Sequence, residues 1–77
     1  MKNIKVLGSG CKKCRTTTDN IVATAEKLGV KIEVEKVEDY AAIASFGVMT
    51  TPGVVVDGVV VHSGGVPTEG MIESWMR

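Results

Sequence analysis

The chain reads as an α/β protein: a four-stranded mixed sheet with helices on both faces, its elements running βαβαββα. Three observations predict this. Val30-Lys31-Ile32-Glu33-Val34-Glu35 alternates strictly, which calls for a strand with one buried face. From about Lys12 to Leu28, apolar residues recur at helical spacing. Two valine triplets, Val54-Val55-Val56 and Val59-Val60-Val61, flank Asp57-Gly58, the strongest short-range signal for a hairpin.

Each element follows in turn. Residues 2–7 form a first strand, with Ile4 and Val6 on one face and Lys5 on the other. Gly8-Ser9-Gly10 is a turn. The first helix presents Ile21, Val22, Ala25 and Leu28 as its apolar stripe, with Asp19, Asn20, Glu26 and Lys27 opposite, and Gly29 stops it. The alternating strand comes next. Asp39 caps a short helix, Tyr40 to Phe46, which Gly47 ends. Val48 to Pro52 is a loop, and the valine hairpin follows, its continuous valines implying cover on both faces. After the Ser63-Gly64-Gly65 loop, Thr68 caps a last helix whose stripe is Met71, Ile72, Trp75 and Met76. A crossover helix joins the first two strands, so they lie parallel; the last two are antiparallel. No repeat or shift in composition divides the chain, and its 77 residues are expected to form a single domain, 1–77.

Composition narrows the class. The chain is 44% hydrophobic and 23% charged, which excludes a disordered tail. Nine Lys/Arg balance nine Asp/Glu, although five basic and no acidic residues fall in the first fifteen positions. Neutrality argues against binding nucleic acid by phosphate neutralisation, and three aromatics (Tyr40, Phe46, Trp75) make no base-stacking platform. No apolar run is long enough to span a bilayer. Lys5 and the glycines after it break the pattern of a signal peptide, so the expected location is cytoplasmic. Two cysteines are too few to staple a secreted fold.

Those two cysteines carry the chemistry. Cys11-Lys12-Lys13-Cys14 stands between the first strand and the first helical turn. A helix N-terminus offers unpaired N–H groups and roughly half a positive charge, both favouring a thiolate. Lys12 and Lys13 add fixed positive charge, with Arg15 next to them. Cysteines in such settings titrate at about 3.5–7.5 instead of about 8.5, so Cys11 is the expected nucleophile. Cys14, one helical turn on, lies within its reach as the resolving thiol. Three other readings compete. A structural disulfide would close only a two-residue loop and stabilise the chain little. A Cys pair supplies two of the four ligands of structural zinc, with His62 the only histidine, but two thiolates suit Cu(I) and a soft-metal carrier. Free cysteines are also often simply buried. Gly8-Ser9-Gly10 is no dinucleotide fingerprint, since Lys13 stands where its third glycine belongs; these glycines permit a tight turn and keep the approach to Cys11 open.

With these residues in view, the chain resembles the small thioredoxin-like and glutaredoxin-like redox-active disulfide proteins of prokaryotes. The resemblance rests on Val6-Leu7-Gly8-Ser9-Gly10-Cys11-Lys12-Lys13-Cys14, on Val34-Glu35-Lys36-Val37, on Gly47-Val48-Met49-Thr50-Thr51-Pro52-Gly53 and on the later Gly64-Gly65. It implies a minimal thioredoxin-like fold, a cis Thr51–Pro52 bond beside the cysteine pair, and a Thr51 backbone that pairs with an extended substrate segment together with Gly10 and Pro52. It implies a thiol–disulfide oxidoreductase that needs no cofactor beyond a Cys11–Cys14 disulfide and holds no metal. The partners implied are protein disulfides and an upstream disulfide reductase, with no nucleic acid and no membrane, the protein acting as a monomer. The chain departs from better-known relatives at Gly10, where thioredoxin carries tryptophan, and at Lys12-Lys13 between the cysteines. Val66-Pro67 follows the glycine pair where glutaredoxins carry acidic residues, so glutathione use is not implied. The alternatives kept are a Cu(I) carrier and a redox-switched binding module, both using the same two thiols.

The remaining candidates read as structure. His62 is expected at the surface at a strand end, Glu33 and Glu35 on a solvated face, and Tyr40, Phe46, Met71, Ile72 and Trp75 in packing. Met49 and Thr50 either line a small contact surface beside the site or simply connect.

Overall fold

The structure, a computed structural model, describes residues 1–8 and 12–77. Its elements are β1 (Lys2–Leu7), α1 (Lys12–Leu28), β2 (Ile32–Val37), α2 (Tyr40–Ser45), β3 (Gly53–Val56), β4 (Val59–Ser63) and α3 (Glu69–Trp75). The strands form one four-stranded sheet in the order β2-β1-β3-β4. β1 pairs with β2 in parallel and with β3 antiparallel; β3 and β4 form the antiparallel hairpin. The turn residues Asp57 and Gly58 both take positive φ, 48° and 85°, as a two-residue hairpin turn of this hand requires.

Strand alternation divides the core between the two sheet faces. Ile4, Val6, Val54 and Val56 point to one face and pack with Ile21 and Ala25 of α1 and Ile72 and Met76 of α3. Leu7 and Val55 point to the other and pack with Ile43 of α2 and with Val48. Ile72 is fully buried between sheet and α1. Truncating it leaves a cavity that the surrounding β-branched side chains close poorly. Ile72→Ala should therefore cost about 2–5 kcal/mol in urea or thermal unfolding; a loss below about 1 kcal/mol would contradict this packing.

Tyr40, expected in packing, is 75% exposed at the start of α2. Three details of the elements also depart from expectation. The strand expected over Val30–Glu35 lies at Ile32–Val37. Gly29 takes φ +69°, and the Val30 N–H donates to the Ala25 carbonyl at 2.9 Å, so Val30 belongs to the end of α1. Pairing with β1 then begins at Lys2↔Ile32. Second, β3 is buried at every position, but β4 is not covered on both faces: Val59 is 63% exposed. β4 is the sheet edge, and the short helix α2 packs over Leu7 and Val55 instead. Third, Val22 and Leu28 sit on the rim of α1, while Thr17 and Thr24 are buried. The Thr17 hydroxyl donates to the Lys13 carbonyl at 2.8 Å, which satisfies its polar atom and frees its methyl for packing.

The caps form as the sequence indicates. Asp39 Oδ2 accepts from the Ala42 N–H at 3.2 Å, and Thr68 Oγ1 accepts from the Met71 N–H at 3.2 Å. Lys27 Nζ meets Glu69 Oε1 at 2.9 Å, linking α1 to α3. The Glu69 hydrogen bond and charge raise the Lys27 pKa above its usual 10.5. A raised lysine pKa stabilises the fold below that value and loses its effect only as pH rises above it, so the pair is intact at neutral pH. Both partners are well exposed, and solvent screens the pair strongly. No helix among the described residues is long and apolar enough to cross a membrane.

Candidate active site

The end of β1 delivers the chain to the site. The Gly8 N–H donates to the Val37 carbonyl at 2.9 Å, continuing the line of β1–β2 bonds past Leu7. Gly10 and Cys11 lie outside the described residues. α1 resumes at Lys12, with Cys14 in its first turn. Cys14 is 7% exposed and turns toward the end of β1. The approach is so close that a Cβ on Gly8 would overlap Cys14 Sγ, and the same Cβ would lie 3.4 Å from Thr51 Cβ. Only a residue without a side chain lets Cys14, the end of β1 and Thr51 meet here.

The Thr51–Pro52 peptide bond is cis. Pro52 is buried at the entry to β3, while Thr51 remains exposed. A second loop holds this segment. The Gly64 N–H donates to the Pro52 carbonyl at 3.0 Å, and a Cβ on Gly64 would come 2.9 Å from Thr50 Oγ1. Gly64 and Gly65 both take positive φ, 79° and 73°, a turn that glycine makes at no steric cost. Local pattern marks this pair only as a loop, and the family resemblance adds it to the motif; its contact with residues 50–52 is long-range.

Lys12 and Lys13 are both exposed on the first turn of α1, which carries no acidic residue. Lys12 borders a cleft of about 340 Å³ that Gly8, Cys14, Arg15, Lys36 and Glu38 also line. Lys13 is not among its lining residues. Met49 is 96% exposed in the segment leading to Thr51. His62 is half-buried: its ring lies 6.0 Å from that of Trp75, and its Nε2 is 3.0 Å from the Gly65 carbonyl, so the Nε2–H tautomer donates there. It serves the loop that holds Pro52.

A helix that starts just past β1 with a near-buried cysteine in its first turn, facing a cis-proline loop across the same sheet, is the architecture of the thioredoxin-like class. Comparison with known proteins agrees. Residues 2–77 match the family model of the thioredoxin domain. Over 74 residues the chain is 42% identical to the thioredoxin of Methanocaldococcus jannaschii, covering 96% of this chain and 85% of that one. A solved structure titled "Structure of a malarial protein" shares the fold, with a TM-score of 0.71 over 97% of this chain and 92% of the other, at 11% identity. The chain belongs to the thioredoxin domain family and is a thioredoxin-like thiol–disulfide oxidoreductase.

Proposed function

We propose that the protein reduces disulfides of other proteins through Cys11 and Cys14. The Cys11 thiolate attacks one sulfur of the substrate disulfide. The substrate S–S bond breaks, a bond from Cys11 Sγ to the substrate forms, and the other substrate sulfur leaves as a thiolate. The Cys14 thiolate then attacks Cys11 Sγ, releasing the second substrate thiolate and closing a Cys11–Cys14 disulfide. Two electrons pass from the dithiol to the substrate, and its two new thiolates take up the two protons the dithiol gives up. The redox group is this cysteine pair itself, with no metal and no other cofactor. An upstream disulfide reductase returns the pair to the dithiol, in a reducing compartment such as the cytoplasm.

The observation that carries this reading is the meeting of Cys14 Sγ and Thr51 at Gly8. The second cysteine of the motif thereby lies near Thr51, an exposed residue at the entry to β3 whose backbone can take an extended substrate segment as an added strand. Gly10 has no side chain to stand before Cys11 in the sequence, and Pro52, having no N–H, cannot compete for the substrate carbonyl. Lys12, Lys13 and the N-terminal end of the 17-residue α1 favour an anionic sulfur nearby. The protein acts as a monomer in this scheme.

Catalytic amounts of the protein, supplied with a chemical dithiol, should reduce many equivalents of a protein disulfide. Absence of turnover together with one-to-one Cu(I) binding would replace this reading with that of a soft-metal carrier.

A further inference from the structure

We infer that the cleft between the first turn of α1 and the end of β2 holds a carboxylate of the disulfide substrate, close to the disulfide itself. This rests on the thiol-exchange reading above and names the class of substrate it prefers. The cleft's volume, about 340 Å³, suits one or two side chains or a small acid. Lys12 and Arg15 of α1 and Lys36 of β2 line it, against one carboxylate, Glu38. Among the described residues the ion pairs are Lys5–Glu35 and Lys27–Glu69, and none of the cleft's cations takes part in them.

Lys36 is the telling residue. Ile32 and Val34 share its face of β2, and both pack against the main core. Period-two alternation would put a third apolar side chain at position 36, paired with the buried Val6. A lysine stands there instead, at the rim of the cleft that Cys14 borders. Gly8 lines the same cleft and also adjoins Thr51, so the basic cleft and the strand-docking segment are neighbours. A residue near the substrate cysteine in an extended segment, at about 3.3 Å per residue, reaches from one to the other. In unmodified cysteine peptides the fixed anions are carboxylates, and three cations beside one acidic group favour them.

The test uses the full chain and kcat/KM for three disulfide peptides alike except that Glu, Gln or Lys flanks the reacting cysteine. A parallel arm compares 3,3′-dithiodipropionic acid with its diamide. At low salt the Glu peptide should be reduced about tenfold better than the Lys peptide. The preference should fade at about 1 M salt, where the screening length is about 3 Å. Lys36→Gln should shrink the preference and Lys36→Glu reverse it. Discrimination among the peptides alone supports a protein segment as the source of the carboxylate; discrimination in the small-disulfide arm supports a small acid. Equal turnover of all substrates by the wild type, or a preference untouched by Lys36→Glu, overturns the carboxylate site and leaves thiol exchange standing. Failure to reduce any of the substrates overturns both.

Discussion

Cys11→Ser should lose catalysed disulfide reduction by more than about a hundredfold, because a hydroxyl at neutral pH is neither ionised nor as nucleophilic as a thiolate. Cys14→Ser should lose steady turnover to a similar degree for another reason. Its first exchange proceeds, but the intramolecular step that frees the substrate is gone, and release waits on the external dithiol. Rapid mixing of each variant with a fluorescent disulfide peptide separates the two: a burst of about one equivalent with Cys14→Ser and none with Cys11→Ser. Equal behaviour of the two variants would contradict the assigned roles.

Gly8→Ala carries the second large effect. An alanine Cβ at this position would overlap Cys14 Sγ, with Thr51 Cβ in contact on its other side at 3.4 Å. Neither neighbour yields easily. Cys14 is held in the first turn of α1, and Thr51 adjoins Pro52, whose carbonyl accepts from the Gly64 N–H. Overpacking of this kind costs about 1–3 kcal/mol. It should also push Cys14 Sγ away from its place at the end of β1, so turnover should fall more than stability alone explains. Thermal unfolding and kcat measured well below the melting range check both parts. A variant with unchanged melting temperature and kcat would mean that this close approach does not exist in solution.

Much of the fold was legible in local pattern, for identifiable reasons. β1 and α1 follow from apolar spacing, and Asp39 and Thr68 announce α2 and α3 because a capping side chain acts within three residues. Asp57-Gly58 announces its hairpin because few residues accept positive φ twice in succession. The errors arise where tertiary context decides. Val30 alternates correctly for a strand but is claimed by the end of α1. The valines of β4 look like those of β3, yet only one of the two strands is flanked on both sides. Val22 and Leu28 have stripe spacing yet sit on the rim of α1, while Thr17, its hydroxyl bonded back within the helix, is buried.

The site divides in the same way. The cysteine spacing is local and therefore visible. Thr51–Pro52 enters only through a family resemblance, since no periodicity ties residue 51 to residue 8. Gly8 looks like a turn residue, whereas its closest constraint is the sulfur of Cys14. Lys36 is hidden for the same reason: only the parallel pairing of β2 with β1 brings it to the cleft beside the motif.

In the proposed mechanism Cys11 and Cys14 work in sequence on a substrate disulfide. Intact-mass analysis of Cys14→Ser, exposed to a peptide disulfide and quenched in acid, tests it most directly. The expected product is a protein heavier by one half of the peptide disulfide, joined through Cys11 and released by reductant. A protein of unchanged mass, with Cys11 still a thiol after the peptide has been offered in excess, would contradict it.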